Sequence, residues 1–310
     1  MDRQRDKKFL RSLNSEAYRR IMNERSNLVV FNTETGEVAS HYEPAPIYTE
    51  NQKRALKGIT ELDVHQAEHG GFVNVFFEQS KTMLERIPEL TQSDMARLLF
   101  LATYTSYPDR DSSYGYLRHD NGHYISKKGM FELLKMSRNK FDEFYKKIVD
   151  CGIIEEDEEK LAVNPGYFYR GDFGKVKPIV NDFQNTRVFR KTVRELYREY
   201  NGRQIKQLGL IYAVLPFVNF KYNIISHNPD EQVSGYVKPM RLGELADKLG
   251  YAKASALKTA LRAIRYDGKP IFQFVEDESD SRKRKVIINP SVVFASNNET
   301  LEAIKVLFND

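Results

Sequence analysis

The 310-residue chain carries 48 lysines and arginines against 43 aspartates and glutamates, for a formal net charge of +5 and an isoelectric point near 9.0. That excess is too small to specify a polyanionic partner, so the placement of the charges has to carry the argument. A single cysteine, Cys151, excludes an internal disulfide and a cysteine-based zinc site; 41% hydrophobic residues exclude wholesale disorder; and the apolar run Leu208–Val218 is too short for a membrane span and contains Pro216.

In chain order, residues 3–25 predict a basic amphipathic helix. Leu10, Leu13, Ala17 and Ile21 recur at helical spacing, and Arg3, Arg5, Lys7, Lys8, Arg11, Arg19, Arg20 and Arg25 outnumber the acids. It reads either as an arm for DNA or a protein partner, or as a solvated docking helix. No apolar stretch follows the charged start, so no secretory signal is expected and a soluble, cytoplasmic protein is. Residues 27–42 predict a hairpin, with Leu28-Val29-Val30-Phe31 as a strand and Glu34-Thr35-Gly36 as the turn. Residues 43–66, with Pro44 and Pro46, predict a connector. Phe72–Arg86 predicts a strand or helix entry and then a helix. Thr91–Tyr107 predicts a second helix, capped by Thr91 or Ser93, with Met95, Leu98, Leu99 and Ala102 as its apolar stripe. A polar loop is expected from Pro108 to Gly122.

The pattern that follows occurs twice. In the first copy, Gly122–Ser126 predicts a short strand, Met130–Met136 a short helix, and Ser137 opens a helix over Arg138–Cys151. Gly152-Ile153-Ile154, an acidic turn and Leu161–Pro165 then predict a hairpin. In the second copy the same order runs through Gly235–Pro239, Leu242–Leu249, a helix from about Lys253 to Tyr266, Gly268–Val275 and Val286–Pro290. An apolar helix precedes each copy, at 93–107 and 203–218. Helix, strand, helix, turn, helix, strand, charged turn, strand is the order of a winged helix–turn–helix. Leu133, Leu134 and Met136 should pack on Phe141, Phe144 or Tyr145, and Ile148; Leu245 and Leu249 should pack on Leu257, Leu261 and Ile264.

In such a unit the second helix enters the major groove. Its exposed set in the first copy is Arg138, Asn139, Lys140, Lys146 and Lys147, diluted by Asp142 and Glu143. In the second copy Lys253, Lys258, Arg262 and Arg265 are uninterrupted by acid, and Ser255 and Thr259 add hydroxyls. Arg pairs with guanine and Asn with adenine, and a row of like charges favours a polyanion. The alternative in both cases is an ordinary solvated helix. Arg282-Lys283-Arg284-Lys285 would set a basic wing tip over phosphates, or would form a solvated turn; Glu155–Glu159 makes the first wing acidic and suits a protein partner or water. Arg187–Tyr200 predicts a basic helix between the modules, either a bridge touching DNA backbone or a spacer.

Signs of an enzyme are few. The histidines are His41, His65, His69, His119, His123 and His227; they form no His–apolar–His pair, and none has Arg at the third position after it. No phosphate-binding P-loop occurs. His65-Gln66-Ala67-Glu68-His69 fits the zinc-binding H-x-x-E-H pattern, but Gly70-Gly71 follows at once and the segment falls in the expected connector. Asp109 and Asp111 read as a polar loop, and Asn164-Pro165 and Asn289-Pro290 as strand-ending turns. No catalytic residue, metal or cofactor is expected.

The stretch from Ala96 through Gly171 resembles replication initiators of Firmicute plasmids and phages, the RepL-like group. The resemblance rests on Leu98–Tyr107, Gly122-His123-Tyr124-Ile125-Ser126, Leu133-Leu134-Lys135-Met136-Ser137, Ile148–Ile154 and Val163–Gly171. Thr35-Gly36-Glu37 and Gly71-Phe72-Val73 look similar to that group's N-terminal part. It implies a nucleoid-associated winged-helix protein that binds double-stranded DNA at an origin and engages host replication proteins, with homodimerisation an open possibility. The second copy departs from the short members of the group, so transcriptional regulation stays open, as does a protein-interaction adaptor. The expected fold is mainly α with small antiparallel β-sheets (α+β) in tandem winged-helix modules. The expected divisions are 1–70 (basic helix, hairpin, connector), 71–180 (first module), 181–202 (basic linker helix) and 203–310 (second module).

Overall fold

The computed structural model describes residues 32–38, 61–78, 81–109, 112–180, 183–201, 205–277, 280–296 and 300–308, with the backbone alone at 175, 177–178, 276–277 and 280–284. The helix expected over 3–25, and most of the connector and hairpin, lie outside these residues. The chain divides into two compact units, 1–60 and 61–310. In the first, the Gly36 amide donates to Asn32 O (2.8 Å) and the Asn32 amide to Glu37 O (2.9 Å), closing a turn at Glu34-Thr35-Gly36. Gly36 takes φ +71°, where a side chain would be strained.

The second unit mixes helices with small antiparallel sheets. It opens with a helix over 61–68 (α1), where a connector is expected, and continues with β1 (Phe72–Phe77), α2 (Met83–Arg86) and α3 (Gln92–Ala102). Thr91 caps α3 in a reciprocal capping box with Asp94. Next come β2 (Gly115–Tyr116), α4 (Lys127–Leu134), α5 (Arg138–Asp150), β3 (Ile154–Asp157), β4 (Lys160–Val163), β5 (Phe168–Tyr169) and the short α6 (Lys177–Val180). Then follow β6 (Gln184–Phe189), α7 (Arg190–Glu199), α8 (Gly209–Val214), α9 (Leu242–Lys248), α10 (Ala254–Arg262), β7 (Arg265–Tyr266), β8 (Lys269–Pro270), β9 (Phe272–Asp277), β10 (Asp280–Ile288) and α11 (Thr300–Val306). Among the described residues no helix is long and apolar enough to cross a membrane.

The repeat seen in the sequence is a repeat of hydrogen bonds. In the first copy the Leu117 amide donates to Leu161 O and the Ile125 amide to Leu117 O, both at 2.9 Å; in the second, the Ile225 amide donates to Val286 O (2.8 Å) and the Met240 amide to Ile225 O (3.0 Å). Arg118 N–H to Tyr104 O (2.9 Å) is matched by Ser226 N–H to Phe217 O (2.7 Å), and His119 N–H to His123 O by His227 N–H to Lys238 O, both 2.9 Å. The sheet order β2-β4-β3 is reproduced by residues 224–226, β10 and β9, with Ile224 bridged to Ile287. Each hairpin ends on the same turn. Asn164 Nδ2 donates to Gly152 O (2.8 Å) while its Oδ1 accepts from the Gly166 amide (2.9 Å). Asn289 Nδ2 donates to Pro270 O (3.2 Å) while its Oδ1 accepts from the Ser291 amide (2.9 Å).

The two copies share one core. β1 is the middle strand of β5-β1-β6, antiparallel to both neighbours, with Val73 opposite Val188 and Val75 opposite Thr186. α8 packs on α3 so closely that a Cβ on Gly209 would lie 1.9 Å from Gln92 O, so only glycine fits there. A single hydrophobic cluster runs from Val73 through Phe144 and Tyr212 to Ile288. This continuity explains why small repeats with short strands hold together: neither copy closes its core alone.

Several expectations need correction. The strand before α4 is β2, at Gly115–Tyr116 inside the expected polar loop; Gly122–Ser126 contributes only the bridge of Tyr124 to Arg118. Gly235–Pro239 likewise begins as a 3-10 turn, and the strand lies at 224–226. Among the described residues the expected apolar helix over 203–218 is α-helical only at Gly209–Val214, flanked by 3-10 turns, and Pro216 ends it on the C-terminal side. Arg187 and Phe189 sit in strand β6, so the helix expected from Arg187 starts at Arg190.

Candidate nucleic-acid interface

The pair α4–α5 is held by alternation of apolar and polar positions. Phe141, Phe144, Tyr145 and Ile148 are buried along α5, and the Phe131 and Phe141 rings meet edge to face at 5.2 Å. Each such side chain contributes roughly 1.5–3 kcal/mol of burial. Between the helices Lys135 takes φ +51°, a left-handed residue that makes the tight turn. The buried stripe leaves Arg138, Asn139, Lys140 and Lys146 exposed and Lys147 half-buried.

The cations of α5 are mostly spoken for. Arg138 Nε lies 3.1 Å from Asp142 Oδ2, and Lys147 Nζ lies 2.9 Å from Glu143 Oε1 and 3.5 Å from Asp94 Oδ2. The hydrogen bond that Lys147 donates to Glu143 leads the influences that raise the Lys147 pKa. Among the described residues, Asn139, Lys140 and Lys146 are left as the face's free polar groups. The following hairpin is acidic and self-engaged: Tyr145 Oη donates to Glu156 Oε1 (2.6 Å) and Tyr116 Oη to Asp157 Oδ2 (2.8 Å). Burial, then the Glu156 carboxylate, push the Tyr145 hydroxyl well above its ordinary value.

The pair α9–α10 has the same skeleton with different electrostatics. Leu257, Leu261 and Ile264 are fully buried. Lys253, Ser255, Thr259 and Arg262 are exposed and Lys258 half-buried. Among the described residues no ion pair involves Lys253, Lys258 or Arg262. Lys258 Nζ and Arg262 Cζ instead stand 5.7 and 5.2 Å from the centre of the Phe274 ring, which brings both cations to the strand β9. Phe274 was not among the sequence candidates; its place in an apolar strand gives no sign of this contact.

Two sequence candidates change place. Arg265 lies past the end of α10, in β7, and its Nη1 donates to Gly268 O (2.7 Å) across the Asp267-Gly268 turn, so it does not continue the face of Lys258 and Arg262. Asp267 and Gly268 both have positive φ, the pairing of a two-residue hairpin. Thr259 Oγ1 donates to Ser255 O (3.1 Å), which occupies its proton within the helix. The side chains of Arg282, Lys283 and Arg284 lie outside the described residues, and Lys285 is half-buried in β10.

Two arginines of the basic helix between the copies point inward. Arg190 and Arg194 are 8% and 6% exposed and clamp the C-terminal end of α3. Arg190 Nε donates to Thr103 O (2.6 Å), and Arg194 donates through Nη2 to Thr103 O (2.7 Å) and through Nε to Thr103 Oγ1 (2.9 Å). Cations at a helix C-terminus meet its exposed carbonyls and negative dipole end. Asp120 completes the clamp, with Oδ1 2.7 Å from Arg190 and Oδ2 2.6 Å from Arg194. Desolvation raises its pKa, but the hydrogen bonds and charges of Arg194 and Arg190 outweigh this and hold it below the ordinary carboxylate value. These two arginines are held inside the fold, while Lys191 and Arg198 of the same helix are exposed.

A second cluster lies on α1. His65, Glu68 and His69 present ligand-type atoms within 4.8 Å of one another. Burial, as the leading cause, lowers the His65 pKa to about 4. The H-x-x-E-H pattern was legible; the helix that gathers it was not.

No protein-family model matches the chain, and no curated protein or solved structure is detectably similar to it.

Proposed function

We propose that the chain is a non-catalytic, sequence-specific binder of double-stranded DNA built from two winged helix–turn–helix modules, and that it serves as a replication initiator at a phage or plasmid origin. The observation that carries the reading is α10: an amphipathic second helix of a helix pair, followed by a hairpin, with Lys253 and Arg262 exposed, Lys258 half-buried, and no carboxylate of the described residues neutralising them. Cations kept together without partners are stabilised when a phosphate backbone supplies the counter-charge. The matching unit around α5 supports a second, weaker contact through Asn139, Lys140 and Lys146. Initiation, host replication proteins as partners and homodimerisation rest on the family resemblance alone.

The test is selection of bound fragments from the DNA of the genetic element that encodes the chain, with binding repeated at two salt concentrations. Enrichment of one repeat-bearing segment, with affinity falling by a log–log slope of about −0.9 per phosphate contact, is expected. A segment within the replicon's own start region supports initiation; one over a promoter supports transcriptional regulation instead. No enrichment and no salt dependence would overturn DNA binding. An adaptor role would then lead, since the acidic β3–β4 hairpin (Glu155, Glu156, Asp157) offers a surface for a basic protein partner.

A further inference from the structure

We propose that His65, Glu68 and His69 form a binding site for one divalent transition-metal ion of the zinc class, on the wall of a cavity between α1, the start of α7 and the turn after β10. The spacing i, i+3, i+4 puts all three on one side of α1 and the turn that ends it, where the His69 amide still donates to His65 O (3.1 Å), and their ligand-type atoms lie within 4.8 Å of one another. Tetrahedral zinc with bonds of about 2.0–2.1 Å needs ligand atoms about 3.3 Å apart, a distance that side-chain rotation can close from here.

The hydrogen bonds around the histidines prepare them as ligands. His65 Nε2 lies 2.8 Å from Pro290 O, and a carbonyl only accepts, so Nε2 carries the proton. The lone pair is then on Nδ1, which is buried and has no hydrogen-bond partner. His65 is 1% exposed, so this orphaned acceptor is the second, independent sign of a missing ligand. A backbone carbonyl fixing one ring nitrogen while the other faces the ion is the usual outer arrangement of a metal-bound histidine. His69 Nδ1 lies 3.0 Å from Thr192 Oγ1, a hydroxyl that both donates and accepts; when it accepts from Nδ1, Nε2 is the nitrogen left for the ion. The rings meet at 4.5 Å, edge to face.

A cavity of about 350 Å³ adjoins the three ligands and is also lined by Asp267, Ser291 and Lys191, giving room for water or a fourth ligand. Three lysines on its wall, Lys191, Lys269 and Lys305, oppose a cation, but Lys305 is engaged by Glu302 at 3.0 Å and Lys191 and Lys269 are exposed. Imidazole nitrogens with one carboxylate suit zinc, and suit calcium or magnesium poorly. Because Pro290 belongs to the second copy and Thr192 to α7, the helix between the copies, a bound ion would pin α1 to both.

The experiment is titration of the full chain, stripped with chelator and desalted, with ZnCl₂ by calorimetry and with CoCl₂ by visible absorption. One equivalent binding at micromolar or tighter affinity, with the intense ligand-field bands of four-coordinate cobalt, is expected. His69→Ala and Glu68→Gln should each weaken zinc by about tenfold or more. Glu68 is exposed, so Glu68→Gln keeps the fold even if the His69 variant unfolds. Binding that is absent at tens of micromolar zinc, or unchanged in the folded Glu68→Gln protein and in any folded His69→Ala protein, overturns the site. Neither outcome bears on DNA binding, which does not use these residues.

Discussion

The two copies of the repeat differ in charge far more than in backbone. Each has the same hydrogen bonds closing its small sheet and the same asparagine turn ending its hairpin. Yet in the first copy Asp142, Glu143 and Asp94 hold Arg138 and Lys147, whereas in the second Lys258 and Arg262 rest on Phe274 with no carboxylate of the described residues against them. The lesson is that backbone and buried stripe tolerate nearly any exposed face, so the exposed face is where the copies have room to differ in role.

The largest expected effect tests the contact that fuses the copies. Gly209→Ala would drive a methyl group into Gln92 O, which is backbone and cannot swing aside. Separation of α8 from α3 should cost on the order of 3 kcal/mol, at the upper end for overpacked cores. Chemical denaturation should show a lower midpoint for the whole 61–310 unit. Unchanged stability would mean that α3 and α8 part readily and that the copies are more independent than their shared core implies.

Next comes the electrostatic difference. Lys258→Ala with Arg262→Ala should weaken DNA binding by about 100-fold, while Lys140→Ala with Lys146→Ala should cost about tenfold or less. Fluorescence anisotropy on the selected DNA fragment at one salt concentration separates them. Equal losses would erase the proposed asymmetry, and a larger loss from the α5 pair would reverse it.

The structural likeness can be tested by itself. Asn164→Ala and Asn289→Ala each remove a donor and an acceptor from equivalent turns and leave two backbone groups short of a partner. Each should cost on the order of 2 kcal/mol. Similar losses in thermal or denaturant unfolding fit turns that do the same job. If one loss were negligible, the hydrogen-bond correspondence would be geometric only.

How legible all this was in the sequence depended on the range of the causes. Stripes such as Phe141, Phe144, Ile148 and Leu257, Leu261, Ile264 announce themselves because a helix sorts its own faces by period. The hairpins β3–β4 and β9–β10 were legible too, but β2 and β6 were not. β2 is two residues long, and Gln184–Phe189 carries mostly polar residues, becoming a strand because β1 offers it an edge more than a hundred positions away. Arg190 and Arg194 read as surface charges since nothing local reveals that Thr103 and Asp120 will surround them. The basic residues of α10 were legible as a set, but the helix ends at Arg262, so Arg265 drops out. The mixed sign of α5 was legible too; which acid holds which base was not.

The smallest expected effect is the sharpest test of why the first copy is quiet. If α5 is muted because its own acids occupy its cations, then Asp142→Asn with Glu143→Gln should release Arg138 and most of Lys147 without touching the buried stripe. Exposed pairs of this kind contribute only about 0.3–0.5 kcal/mol each, so stability should barely move. DNA affinity should rise several-fold, and its salt dependence should steepen by up to two phosphate contacts, about −0.9 in log–log slope for each. Asp94 remains 3.5 Å from Lys147, so the full gain at that position is not expected. An unchanged affinity and slope would show that α5 does not reach DNA at all. The difference between the copies would then be one of docking geometry, with α10 alone facing the duplex.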